Sequence, residues 1–506
     1  MHADGIIGLV DTLQSYDQLP YDRLPFSETE PDFLAALAQL HGFAAADTRS
    51  ARVLELGCAQ GGNLIPMAER YPQGEFLGID LSRVQVEEGQ TFIARAGLGN
   101  ISLLHGDIAA LPEGLGEFDF IIAHGVYSWV PESVRKALLA ACRRLLRPQG
   151  VAYVSFNVSA GWQLYGQLRQ LLLRKDDAGL SPMQRVERAR SLIADTAFDD
   201  ARLRKEADYL IKASASYVFH EYLSNINNAF SFPNFAGDAG DHGLRYLGDA
   251  GPRRARVALE NDWGLSSEAR YERWLDAEAA LDEALGTRFR RALLVRDDAS
   301  LPQPLHAELL KHLAFSAELS SDDELDFAEP CDQHFTSSAG ERLPAAHPLL
   351  KAFLVAVASA YPQALDYEAA ASRALELTRN YGYRGEADEA FLEALLDFVQ
   401  LQGVRPHALA LPCAAEPADF PRASKLARMQ ASAPGWPVTN VFHQALDIDE
   451  WGRRLLAVLD GSLSVGALGA RLLKALGGAD IRATPEQSAE QVQHYLDFFR
   501  RQGLLR

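Results

Sequence analysis

Arg52-Val-Leu-Glu-Leu-Gly-Cys-Ala-Gln-Gly-Gly-Asn-Leu64 is an apolar run that breaks into glycines and resumes as a helix. Arg52 to Leu56 reads as a short buried strand, and the glycines that follow let the backbone turn sharply and approach a ligand closely. The next helix opens with free N–H groups and a positive dipole end, which suits a ligand carboxylate. Ala59 stands where a middle glycine often does. Glu55 is an acid in an otherwise apolar strand end. A buried carboxyl is costly unless partnered, so it reads as orienting the loop or a ligand ammonium.

Outward from this turn, helical and strand periods alternate. A helix over Pro31 to Leu40 precedes it. After it come a helix near Leu64 to Arg70, a strand Glu75 to Ile79, a helix Ser82 to Ala96 and strands Ile101 to His105 and Phe118 to His124. A helix Val134 to Leu146 and a strand Val151 to Phe156 follow. This order predicts a doubly wound, mainly parallel α/β sheet. The stretch Tyr165 to Tyr222 has helical spacing and reads as an inserted arm. Gly243 to Gly248 and Phe289 to Arg296 read as two further strands of the same sheet, making a discontinuous core. Beyond the junction Asp297 to Pro304, helices His347 to Ala360 and Ala387 to Gln402 alternate with short strands. After Pro412 to Pro421, the stretch Val438 to His443 and the helices Ile448 to Leu459 and Ser488 to Gln502 form another such unit. Both downstream units read as small winged-helix-like α+β modules.

Asp80, nineteen residues after Gly61, ends the second strand, where a carboxylate can accept bonds from two ribose hydroxyls. That pair fits NAD as well as S-adenosylmethionine. His105-Gly-Asp107-Ile108 separates them, because an acid followed by an apolar residue suits an adenine amino group and ring face. The candidate cofactor set is therefore Glu55, Gly57, Cys58, Ala59, Gly61, Asn63, Asp80, Leu81, Asp107, Ile108 and His124. Tyr16 and Tyr21, in Tyr16-Asp-Gln-Leu-Pro-Tyr21, are candidate lid residues over it.

Ala123-His124-Gly125-Val126-Tyr127-Ser128-Trp129-Val130-Pro131 ends the fourth strand at the carboxyl edge, where open sheets bind ligands. His124, Tyr127 and Trp129, with Asn157 after the fifth strand, are the candidate acceptor-side residues. Aromatic rings there suit a cationic amine, and an imidazole or phenol can take a proton. Core packing is the competing reading for both rings. His220-Glu221-Tyr222 is a further polar cluster. No Asn/Asp-Pro-Pro-Tyr signature stands here, which disfavours an amide or nucleobase acceptor.

A net charge of −19 over 506 residues argues against a long phosphate-binding groove and favours a cationic or neutral substrate. In the C-terminal unit Asp447, Asp449, Glu450 and Asp460 interrupt the basic residues, so nucleic acid is not an expected partner. Four cysteines without metal-like spacing point to a reducing compartment and no metal. With Asp4 and Asp11 near the start and no apolar run of about 18 residues, the expected setting is cytoplasmic and away from membranes.

Taken together, Tyr16-Asp with Pro20-Tyr21, Val53 to Met67, Gly78 to Ser82, Ile121 to Pro131, Val151 to Ser155, His220 to Leu223, Gly243 to Gly248, Pro437 to His443 and Leu455 to Gly461 resemble the bacterial methyltransferases carrying a methyltransferase regulatory domain. That family includes the rickettsial outer-membrane-protein lysine methyltransferases. The resemblance implies a Rossmann-like class I core with a seven-stranded sheet (31–164 and 223–298) under an N-terminal lid (1–30). It also implies a helical arm that can dimerise (165–222) and two winged-helix-like domains (299–415 and 416–506). It further implies N-methylation of lysine on a protein or peptide acceptor. Ser155 to Trp162 departs from the family pattern at Val158 to Ala160, which leaves the acceptor open. A small-molecule or peptide-tailoring methyltransferase and a cofactor-binding interaction protein without turnover remain the other readings.

Overall fold

Strand β1 (Arg52–Leu56) alternates Val53 against Leu54 and Leu56, each wholly buried but on opposite faces, so it needs helices on both sides. The computed structural model of the chain describes residues 18–173, 179–252, 265–409, 418–476 and 485–506. Around β1 it builds a sheet from β2 (Glu75–Asp80), β3 (Ile101–His105), β4 (Phe118–Ala123), β5 (Leu146–Val158), β6 (Ala229–Phe230), β7 (Leu244–Asp249) and β8 (Phe289–Arg296). Seven strands run in the order β3-β2-β1-β4-β5-β8-β7, and the two-residue β6 pairs with the end of β5. Strands β1 to β5 are parallel, whereas β8 is antiparallel to both neighbours. The order reverses between β1 and β4, which opens a crevice at their carboxyl ends.

Helices α1 (Pro31–Leu40), α2 (Leu64–Arg70) and α3 (Arg83–Ala96) pack one face through Leu34, Leu64, Ile65 and Phe92. Helix α4 (Glu132–Leu145) covers the other with Leu138, Leu139 and Cys142, beside Trp274 of the helix Ser267–Leu285. Both faces are apolar, as a parallel sheet requires.

Several elements differ from the sequence expectation. Strand β5 is longer because Leu146 pairs with Phe118 and Val158 with Phe230. The helices Phe232–Asp241, Tyr367–Asn380, Lys425–Ser432 and Val465–Leu476 lie where the sequence pattern gave no element. Of Val438 to His443 only Val438–Thr439 is strand. The Asn440 Oδ1 accepts from Phe442 N–H at 3.0 Å and Gln444 N–H at 2.9 Å, folding a tight turn with His443 at φ +59.

The arm packs Ser159–Leu172, Pro182–Ala194 and Ala201–Lys212 around Leu168, Val186, Ile193 and Leu210. It ends in a π-helical turn, Phe219–Leu223, which carries Glu221 back to the sheet. The downstream helices Pro348–Ala360, Tyr367–Asn380 and Glu389–Gln400 share one continuous core with α1 and the β1 face. Buried Asp32 of α1 locks this junction, accepting from His407 Nδ1 at 3.0 Å and Leu409 N–H at 2.7 Å.

Candidate active site

The crevice is a cleft of about 560 Å3, bounded by the glycine loop, the ends of β2, β4 and β5, and the π turn of the arm. Its floor is fixed by backbone conformations that the sequence makes possible. Gly57 sits at φ +82, and a Cβ there would meet Val126 Cγ2 at 2.6 Å. Ala59 takes φ +48, a left-handed conformation that is strained for a residue with a Cβ. Gly61 (φ +81) turns toward Leu103 and Ile65, behind the loop. The cleft is lined instead by Gly62, whose missing side chain lets the Arg23 backbone pass, since a Cβ would lie 2.6 Å from its carbonyl carbon.

Glu55 Oε1 accepts from Asn63 Nδ2 at 2.8 Å, and its Oε2 is buried without a hydrogen-bond partner. Burial pushes this carboxyl from 4.5 up to about 8, the Asn63 bond opposing and the Asp80 charge adding. Asn63 is itself a hub. Its Oδ1 accepts from Phe26 N–H at 2.9 Å and from His443 Nε2 at 2.8 Å, tying the loop to both ends of the described chain. Asp80 accepts from Ala59 N–H and Ser82 N–H, each at 2.8 Å, so it holds the loop and the residue that caps α3, Ser82, while facing the cleft. Leu81, Cys58, Asp107 and Ile108 line the same wall, with Asp107 Oδ1 capping a short turn through Ala109 N–H.

On the acceptor side the expected residues separate. His124 lines the cleft, stacked on Phe26 with centroids 3.8 Å apart, and its Nδ1 lies 2.9 Å from the Tyr153 hydroxyl. Burial pushes its imidazole down to about 4, with Glu28 opposing and Arg291 adding. It is therefore neutral at physiological pH and a weak proton acceptor for an ammonium. Trp129 and Asn157 also line the cleft, Asn157 Nδ2 donating to Asn227 Oδ1 at 2.9 Å. Tyr127 does not. Its ring is wholly buried among Phe156, Phe230 and Phe235, and its hydroxyl donates to Asp238 at 2.8 Å, so this expectation is corrected to a packing role. The short turn Tyr127–Trp129 sends the two rings opposite ways.

Tyr21 lines the mouth, stacked on His220 at 4.2 Å, and Tyr16 lies outside the described residues. Ser216, Tyr217, Glu221, Arg288, Phe289 and Arg291 complete the wall. Of these only Glu221 was singled out in the sequence. Arg288 precedes strand β8 and Arg291 lies within it, and their charges were the one signal available. Arg291 Nε donates to Glu28 at 2.7 Å, and Arg288 pairs with Glu206 at 2.9 Å and donates to the Tyr222 hydroxyl.

The residues fit S-adenosylmethionine: an unpartnered buried carboxylate oxygen faces the cleft beside a glycine turn, and acids end β2 and follow β3. Among the described residues no group of three His, Cys, Asp or Glu side chains could hold a metal. No described helix is long and apolar enough to cross a membrane.

A family model described as a methyltransferase domain matches residues 53–150, a predicted methyltransferase regulatory domain matches 214–296, and a PKMT C-terminal winged helix domain matches 419–504. An uncharacterized protein of Rickettsia prowazekii is 28% identical over 470 residues, covering 90% of this chain and 84% of the relative. A second from the same organism is 34% identical over 229 residues, covering 44% of this chain and 92% of the relative. The solved structure of PKMT2 from Rickettsia typhi in complex with AdoHcy is similar at a TM-score of 0.80 and 25% identity, covering 96% of this chain and all of that one.

Proposed function

Because the chain belongs to the S-adenosylmethionine-dependent class I methyltransferases that carry a methyltransferase regulatory domain, we propose that its acceptor is the side-chain amine of a protein lysine. The observation that carries this reading is the acceptor end of the cleft. Trp129, Tyr217 and Phe289 form its aromatic surface with the Glu221 carboxylate among them, while the two guanidiniums of that wall, Arg288 and Arg291, are paired with Glu206 and Glu28. Such a wall favours an alkylammonium with an apolar stem over an anion or a phenol. A similar structure bears the name PKMT, for protein lysine methyltransferase, which supports the same acceptor.

Bound S-adenosylmethionine supplies an electrophilic methyl group on a sulfonium. The chain's own residues position and desolvate. In this reading Glu55 and the backbone of Gly57 to Gly62 hold the amino-acid end, Asp80 the ribose hydroxyls, and Asp107 with Leu81 and Ile108 the adenine. Trp129, Phe289 and the stacked pair Phe26 and His124 exclude water from the reacting end. The arm exposes Leu180, Met183, Tyr209 and Ile211, which supports self-association through it.

The purified chain would be incubated with methyl-labelled S-adenosylmethionine and a lysate, and tryptic peptides sequenced by mass spectrometry. Label on lysine ε-nitrogens is expected. Label confined to small molecules, or to protein carboxyl or sulfur atoms, overturns the reading.

A further inference from the structure

Residues 220 to 222 leave the arm in three directions. His220 is buried against the N-terminal segment, its ring nitrogen 2.7 Å from the Leu19 carbonyl and its face stacked on Tyr21. Tyr222 is wholly buried and donates to Glu206 at 2.6 Å. Between them Glu221 turns its carboxylate into the cleft, where it makes no hydrogen bond or ion pair with any described residue. The π turn that aims it is tied to β5: Asn227 Nδ2 donates to the Glu221 carbonyl at 3.0 Å, while Asn227 Oδ1 accepts from Asn157. A π turn costs hydrogen-bond geometry, and such turns concentrate at functional sites.

We propose that Glu221 is the amine-recognition and proton-accepting carboxylate of the acceptor subsite, holding an incoming alkylammonium between Tyr217 and Trp129. This rests on the lysine reading above and adds the group that performs the proton step. Before transfer, R–NH3+ and the carboxylate become R–NH2 and the carboxylic acid. The N–H bonding pair stays on nitrogen as the lone pair that attacks, and the proton stays on Glu221 until it passes to water.

Two further observations suit the role. His124, the other ring on this side, is held neutral and weakly basic by burial. Burial pushes Glu221 up to about 7, opposed by Arg288 and aided by Glu206, with the Tyr217 phenol the other titratable group facing it. Against a lysine amine near 10.4, this narrows the proton-transfer imbalance from about six powers of ten to about three.

The test uses the full chain as wild type, Glu221→Gln and Glu221→Asp, with S-adenosylhomocysteine bound for the amine-binding measurements and methyl-labelled S-adenosylmethionine for the rates. By calorimetry near pH 8, Glu221→Gln should weaken n-pentylamine about tenfold or more, leave n-pentanol unchanged and hold S-adenosylhomocysteine within about twofold. The rate of label transfer to lysate lysines should fall about thirtyfold near pH 7 and converge with wild type near pH 10, where free amine becomes abundant. Glu221→Asp, retaining charge, should fall between the two. Unchanged n-pentylamine binding, or a rate ratio constant with pH, overturns the proposal. If wild type labels a non-amine acceptor, the lysine reading fails, while Glu221-dependent n-pentylamine binding still decides the subsite.

Discussion

Glu55 is the residue whose chemistry the cleft has most clearly altered. With its folded pKa at about 8 and its ordinary value 4.5, it takes up a proton on folding, so the stability it contributes is full below about pH 4.5 and is lost as pH rises through 8. A cationic ligand group beside Oε2 would reverse this and expel the proton. Calorimetry of S-adenosylmethionine binding near pH 7 in buffers of different ionisation enthalpy should show close to one proton released, and Glu55→Gln should show none; equal release by both would remove Glu55 from the ligand. Ala59 is legible as a turn residue, but only the backbone shows its cost. Glycine occupies φ +48 freely, so Ala59→Gly should stabilise the chain by about 0.5–1 kcal/mol in urea denaturation, despite adding unfolded-state entropy. Tyr127 marks the limit at this scale, because its sequence neighbours do not say which side of a three-residue turn its ring takes.

At the scale of elements, hydrophobic period located β1 to β4 and β8 almost to the residue, since short apolar runs between turn residues and helical stretches read as strands. It missed the helix Phe232–Asp241, although Ser231 caps it, accepting from Asn234 N–H, and proline stands in its first turn. Strand β8 also holds Arg290, 1% exposed in the side chain, paired with Asp282 at 2.8 Å and Glu278 at 2.9 Å and bonded to the Tyr246 hydroxyl. This ion cluster pins the helix Ser267–Leu285 onto the antiparallel edge of the sheet. Removing the guanidinium strips Asp282 and Glu278 of their buried ion pairs with it, so Arg290→Ala should cost about 3–5 kcal/mol in chemical denaturation. A loss below about 1 kcal/mol would mean that water replaces the guanidinium.

Across the whole molecule, the C-terminal unit reaches the glycine loop. His443, some 380 residues from Asn63 in sequence, is 3% exposed and donates to the same Asn63 oxygen that receives Phe26 N–H. Burial pushes its imidazole down to about 3, and His41 and His220 down to about 4. An unfolded chain protonates these rings below about pH 6.5, so the stability they contribute is present above that pH and lost as pH falls toward 3. His443→Ala should lower thermal stability and weaken S-adenosylhomocysteine about three- to tenfold, through a loosened Asn63 and Glu55. His443→Gln, which can still donate, should recover much of both. Unchanged affinity in His443→Ala would confine the C-terminal unit to other roles.

Local chemistry by itself determined the glycine turn, the acids after the second and third strands and the alternating core, because strand period, turn residues and helix caps act over a few residues. Tertiary structure alone decided which aromatic ring enters the cleft, that Gly62 rather than Gly61 lines it, and that Arg291 and Glu28 stand beside His124. Those outcomes depend on burial and on contacts between segments far apart in the chain, where a carboxyl's charge or a ring's direction is set by neighbours the local sequence does not contain.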